Sequence, residues 1–296
     1  MLVLKLVYNK NIDFINEIND LRIVLKKKQI NIGIVESVEQ DSHIVKVLCD
    51  DDCYNEKTKG IINLYMSNVL YKVIIKEYKN KEMFQFLTEN YFFLKQDEIM
   101  EVEEEIMKVL LFEESIKAEN LVYCMNRMNS IIDKIHDFLE ENSEININGF
   151  IRFRMKELRE EIEEVINKVI ENYMVDKEYK EFVKLLKYFV DIQESKIDEM
   201  HIIIKEDGKY LIKDKEGNDI FVEFMKDLAE SRIDTDAKIE DILISGLITN
   251  APKKLIIHGK EKCINKEFID TIDNVFENRV FYCNNCNLCK EKEYIL

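Results

Sequence analysis

The sequence predicts an α+β, helix-dominated fold. It has a small N-terminal α/β unit, long central antiparallel helices, and a C-terminal mixed α/β segment with a β-hairpin and a strand–helix–strand unit. Three observations predict this. Gly and Pro, the residues that interrupt helices, number only 7 and 1 among 296 residues. Apolar residues recur at three- and four-residue steps throughout the middle of the chain, and short alternating or continuous apolar runs appear only towards its two ends. The expected division is residues 1–80 for the small α/β unit, 81–196 for the helical region, and 197–296 for a C-terminal α/β region ending in a Cys-rich loop.

Each element follows from its local pattern. Leu2 to Tyr8 alternates as a strand, and Ile12, Ile15, Ile18, Leu21 and Leu25 mark a helix over Asn11 to Lys28. Ile30 to Val38 and His43 to Leu48 alternate again and meet at a hairpin, Glu39 to Ser42. The apolar run Ile61 to Ile75 is shorter than the roughly 20 residues a membrane span needs. Its polar Asn63, Ser67 and Lys72 predict one wet stripe on a buried helix. Helices are expected over Lys81 to Leu94, Asp97 to Lys117 and Ala118 to Glu140, and then an inter-helix turn over Ser143 to Gly149. Beyond it Ile151, Met155, Leu158, Ile162, Val165 and Val169 form one apolar seam towards Tyr173. A second helix over Glu178 to Ile192, with Phe182, Leu185, Leu186, Phe189 and Val190 inward, predicts an antiparallel pair. Asp207-Gly208 marks a hairpin between His201–Lys205 and Tyr210–Lys213. Helices over Ile220 to Glu230 and Ile239 to Leu247, a stop at Pro252, a strand at Leu255 to Ile257, a helix over Glu267 to Phe276 and a strand over Arg279 to Tyr282 complete the chain. The last three predict a parallel crossover.

Composition narrows function mostly by exclusion. With 46% hydrophobic and 34% charged residues the chain can bury a core and keep a charged surface. Its formal net charge of -16 repels phosphate backbones, and it contains no Trp and no aromatic–basic interleave, so nucleic-acid binding is not expected. There is no G-x-G-x-x-G, G-x4-G-K-[ST] or G-x-S-x-G pattern, which argues against a nucleotide-using enzyme. Met1 to Tyr8 lacks the basic head and cleavage site of a signal peptide, so a cytoplasmic, reducing setting is expected.

In such a setting clustered cysteines raise the question of a metal. Cys49, Cys53, Cys124 and Cys263 are scattered, whereas Cys283, Cys286 and Cys289 form a C-x2-C-x2-C run after the last expected strand. Two intervening residues let successive thiolates turn towards one centre. Zinc is one expected occupant, with Cys263 or His258 as fourth ligand, both near the neighbouring strand. An iron–sulfur cluster serving a redox enzyme is the alternative, although the fourth Cys and Pro of the bacterial ferredoxin run are absent. Three unliganded thiols are the third reading. A second constellation is Arg152, Arg154 and Arg159, gathered at one helix start. Their planar guanidinium forks suit an anion or a protein partner, while pairing with Glu157, Glu160, Glu161 and Glu163 is the bland account. The other histidines, His43, His136 and His201, have the default expectation of structural roles.

The stretch Phe150-Ile151-Arg152-Phe153-Arg154-Met155-Lys156-Glu157-Leu158, running on to Asp176-Lys177-Glu178-Tyr179-Lys180-Glu181-Phe182 and through Val190-Asp191, resembles the YtxC-like putative sporulation proteins of endospore-forming Firmicutes. Thr271 to Cys289, with Val275-Phe276 ahead of Arg279-Val280 and the cysteines, is similar too. The resemblance implies a process, sporulation, and a cytoplasmic location. It brings no catalytic residue onto this chain. With the absent catalytic motifs, the helical middle and the Arg-rich helix start, this makes a non-enzymatic sporulation-associated protein acting through protein contacts the leading expectation, with a metal- or iron–sulfur-dependent redox enzyme as the alternative.

Overall fold

The computed structural model describes residues 1–9, 15–39, 42–113, 116, 118–221, 238–284 and 286, with 15, 16, 118 and 119 described by backbone alone. The chain divides into two units, Met1–Val175 and Asp176–Leu296, each with its own hydrophobic core. The α+β, helix-dominated class holds: among the described residues long helices accompany two four-stranded sheets. Among the described residues no helix is long and apolar enough to cross a membrane.

In the first unit the alternating runs form strands β1 (Leu2–Asn9), β2 (Ile32–Glu39) and β3 (Ser42–Cys49). β3 pairs antiparallel with both β1 and β2, so the expected hairpin is present. Leu4 and Leu6 lie opposite Val47 and Val45, and all four are buried. A fourth strand, β4 (Glu144–Asn146), pairs parallel with β1 and completes the order β2-β3-β1-β4. This corrects the expectation of a plain turn over Ser143 to Gly149. Three residues are too few to display a period of two, and their partner strand is at the other end of the unit's sequence.

Helices α1 (Ile15–Lys27), α2 (Glu56–Tyr78), α3 (Phe84–Asn90), α4 (Gln96–Leu110) and α5 (Ala118–Glu141) follow the predicted order with shifted boundaries. No break separates α2 from α3. A π-helical turn, Lys79–Met83, joins them where a fresh start at Lys81 was expected. The wet stripe of α2 is also displaced. Lys72 faces outward as expected, but Asn63 and Ser67 are buried, and Leu64 and Lys76 face outward with Lys72 instead. Burial of the two polar side chains is tolerated because each finds a carbonyl: Asn63 donates to Leu139 O at 3.4 Å and Ser67 to Leu64 O at 2.7 Å. Tyr71, fully enclosed, donates to Leu110 O at the end of α4, 2.8 Å away.

A single helix, α6 (Ile147–Ile192), replaces the expected antiparallel pair. Tyr173 to Glu178 contains neither Gly nor Pro, so nothing there stops a helix. The predicted seam is buried along its first part, from Ile151 through Met155, Leu158, Ile162 and Val165 to Val169. Further on the inward residues are Val183 and Val190, with Leu186 half-buried, while Phe182, Leu185 and Phe189 are exposed. This part of α6 carries apolar residues on more than one face, and spacing alone does not say which face packs. Within the first unit, α6 meets α5 through Glu161, which accepts from Arg127 at 3.0 Å, Lys134 at 2.8 Å and Ser130 at 3.2 Å.

The second unit is built on β5 (Glu199–Ile204), β6 (Tyr210–Asp214), β7 (Lys254–His258) and β8 (Val280–Tyr282), in the order β6-β5-β7-β8. β5 and β6 form the expected hairpin, turned by Gly208 at φ 79°. β5, β7 and β8 are mutually parallel in sequence of pairing, as the crossover reading requires. One face of the sheet, with Met200, Ile202, Leu255 and Ile257, packs with Leu243 and Leu247 of the helix Ile239–Asn250 and with Phe268 and Ile272 of the helix Lys266–Phe276. The helix expected over Ile220 to Glu230 lies, beyond Phe221, outside the described residues.

Two outcomes are expected for the first unit. Tyr71→Phe strands the buried Leu110 carbonyl and costs about 1–3 kcal/mol, read as a lower urea midpoint. Burial on its own raises the Glu161 carboxyl, but hydrogen bonds from Lys134, Arg127 and Ser130 outweigh it and hold the group below its ordinary 4.5. A depressed carboxylate stabilises the fold above its unfolded pKa and loses that stabilisation as pH falls through the folded value. Glu161→Gln should therefore flatten the loss of thermal stability on acidification below about pH 4.5.

Candidate metal centre

Parallel pairing in the second sheet collects the chemistry-bearing side chains of this unit. His258 is the last residue of β7, and Cys283 follows β8 directly, its N–H donating to Ile257 O at 2.9 Å. In β5, His201 lies opposite Ile256, which places it on the same sheet face as His258 because side chains alternate along a strand. That face is the one turned away from Met200, Ile202, Leu255 and Ile257.

His258, Cys283 and Cys286 converge so that one ligand atom from each lies within 4.8 Å of the others. The Cys286 Sγ and His258 Nδ1 atoms are 3.4 Å apart. Two ligands of a tetrahedral zinc shell, with bonds of about 2.3 Å to sulfur and 2.0–2.1 Å to nitrogen, lie about 3.6 Å apart. His258 is only 2% exposed. Burial, and then the neighbouring His201, push its pKa below the ordinary 6.5, which favours the neutral imidazole that binds metals.

Local sequence fixes the His258 backbone. Gly259 adopts φ +70°, and a Cβ there would lie 2.7 Å from Ile204 O, so only glycine lets β7 leave the sheet beside β5. On the other side Tyr282 donates to Asp273 at 2.6 Å, and Lys260 Nζ sits 3.9 Å from the centre of the Tyr282 ring. The residue ahead of Cys283 is thereby held to the helix Lys266–Phe276.

Behind His258 runs a polar chain. His258 Nε2 and His201 Nδ1 are 2.9 Å apart, with ring planes inclined by 29°. His201 Nε2 lies 3.2 Å from Glu199 Oε1, and Lys254 Nζ donates to Glu199 Oε2 at 2.7 Å. That ammonium, against a smaller opposing effect of burial, holds the Glu199 carboxyl below its ordinary 4.5.

Cys289 lies outside the described residues. Cys263 has its thiol on Asn265 O at 3.2 Å and near the Tyr210 hydroxyl at 3.8 Å, apart from the His258 group. Arg154 pairs with Glu157 at 2.6 Å, Arg159 pairs with Glu82 at 2.5 Å, and Arg152 is exposed; the three do not converge. The sequence expectation for His201 is a structural role, and Glu199 is not among the sequence candidates. Their signal was the Glu-x-His spacing, which puts both on one strand face, but its meaning needs the β5–β7 register.

The fold and this site define a two-unit α+β protein with a His/Cys cluster at the end of a parallel strand pair. The YtxC-like family matches residues 64–281, and the chain belongs to that family. It is 24% identical over 226 residues to "Uncharacterized protein YtxC" of Bacillus subtilis (strain 168), covering 74% of this chain and 76% of the relative. No solved structure matches it.

Gly259→Ala should cost the second unit about 1–3 kcal/mol from the left-handed backbone alone. The close Ile204 carbonyl adds to that, and amide exchange in β5 and β7 should accelerate.

Proposed function

We propose that this chain is a cytoplasmic sporulation-associated protein that works through protein contacts and holds a structural zinc ion near its C-terminus. The observation that carries the metal reading is the convergence of His258, Cys283 and Cys286. Cys289 completes the proposed set, as a third thiolate beside the histidine. Three sulfurs and one imidazole suit zinc, and four protein ligands leave no position for substrate, which is the mark of a structural site. The sporulation assignment rests on the resemblance carried by Phe150 to Cys289 alone, since the matched family's description names no process.

The contact reading is supported by the second part of α6. Phe182, Leu185, Phe189 and Ile192 are each at least 39% exposed and recur at three- and four-residue spacing. Such a stripe suits a partner helix. Arg152 and the exposed Phe153 offer a second contact point at the start of the same helix.

Anaerobic purification of the full chain followed by metal analysis tests the site. Zinc that survives dialysis, and is lost in Cys283→Ser and His258→Ala, is the expected result. Iron with labile sulfide and broad absorbance near about 400 nm overturns it in favour of a redox centre. Pull-downs from sporulating cells should recover a partner whose binding is weakened by Phe182→Ser with Leu185→Ser, and recovery of nothing above background counts against the contact role.

A further inference from the structure

We infer that His201 and Glu199 form the outer shell of this centre and select the His258 tautomer that presents Nδ1 to the metal. The inference rests on the metal reading above and adds two positioning residues and a ligating atom.

Each proton along this chain of groups is fixed by the partner next to it. An ionised carboxylate can only accept hydrogen bonds, so the His201 nitrogen facing Glu199, Nε2, must carry the proton. In a neutral ring that leaves His201 Nδ1 as a lone pair. Nδ1 faces His258 Nε2 at 2.9 Å, so His258 Nε2 must be the donor. His258 Nδ1 is then the lone pair, and it is the atom that lies 3.4 Å from Cys286 Sγ. The opposite assignment sets the His201 Nε2 lone pair against the Glu199 carboxylate. Lys254, at 2.7 Å from the second Glu199 oxygen, keeps that carboxylate ionised and in place.

The order of groups is metal ligand, second imidazole, carboxylate, ammonium. It extends by one ring the usual arrangement in which a ligating histidine donates its other N–H to a carboxylate or carbonyl. His201 is only 12% exposed and Glu199 27%, so solvent competes weakly for these bonds.

Zinc titration of the full-length chain against a competing chelator, with long-range proton–nitrogen NMR of its four histidines, tests the inference. The wild type should show His258 coordinated through Nδ1 with Nε2 protonated. His201→Ala should weaken zinc binding by about 10–100-fold and erase the protected His258 Nε2 proton. His201→Asn, whose amide oxygen stands at the place of Nδ1 and can accept the same bond, should recover most of the affinity, which a purely structural role for the ring would not produce. Glu199→Gln, which leaves the fold's packing intact, should weaken binding in the same direction. Coordination through Nε2, or unchanged affinity in both His201→Ala and Glu199→Gln, overturns the inference while leaving the metal site standing. A wild-type chain that takes up no zinc overturns both, and binding abolished only in Cys283→Ser and His258→Ala upholds the site alone.

Discussion

The parallel register between β5, β7 and β8 is the constraint on which the second unit depends. Parallel strands need a crossover between them, so each brings its residues from a different stretch of chain to one end of the sheet. His201, His258 and Cys283 become neighbours for that reason. A slip of one residue in β7 would turn His258 into the core and bring Ile257 to the face it now occupies. The side chains that hold this register are apolar: Met200, Ile202, Leu255 and Ile257 sit under Leu243, Phe268 and Ile272. Polar chemistry on one face is thus set by hydrophobic packing on the other.

The first unit solves a different problem, the burial of a helix with polar residues on its inner side. α2 encloses Asn63, Ser67, Tyr71 and Tyr78, and each has a hydrogen-bond partner: a helix carbonyl for the first three and the Glu163 carboxylate, at 3.4 Å, for Tyr78. Such groups add modestly to stability when satisfied and are costly when stranded. They therefore discriminate between the native arrangement of α2, α4 and α5 and near alternatives with equal apolar burial. Glu161, gathering Arg127, Lys134 and Ser130, plays the same part between α5 and α6.

What was legible in the sequence was whatever has a local period. The seam from Ile151 to Val169, the hairpin at Ser42 and the hairpin at Gly208 all follow from spacing or turn chemistry. Three features without a local signature were read differently. β4 is too short to alternate, Tyr173 to Glu178 lacks a breaker although the spacing suggests a boundary there, and on α6 after Asp176 Val190 and the half-buried Leu186 pack inward as expected, whereas Val183 takes the inner place expected for Phe182, Leu185 and Phe189. At the site the C-x2-C spacing and the neighbourhood of His258 were legible. His201 was not, because its meaning depends on a register set by residues more than fifty positions away.

β8, only three residues long, stands at the margin of its sheet. A long, flat margin invites strands of other chains to add on, and proteins commonly prevent this by keeping such strands short. Here the described margin offers a foreign strand only the few rungs of Val280–Tyr282. The brevity of β8 thus limits the template at this edge and guards the molecule against edge-to-edge aggregation.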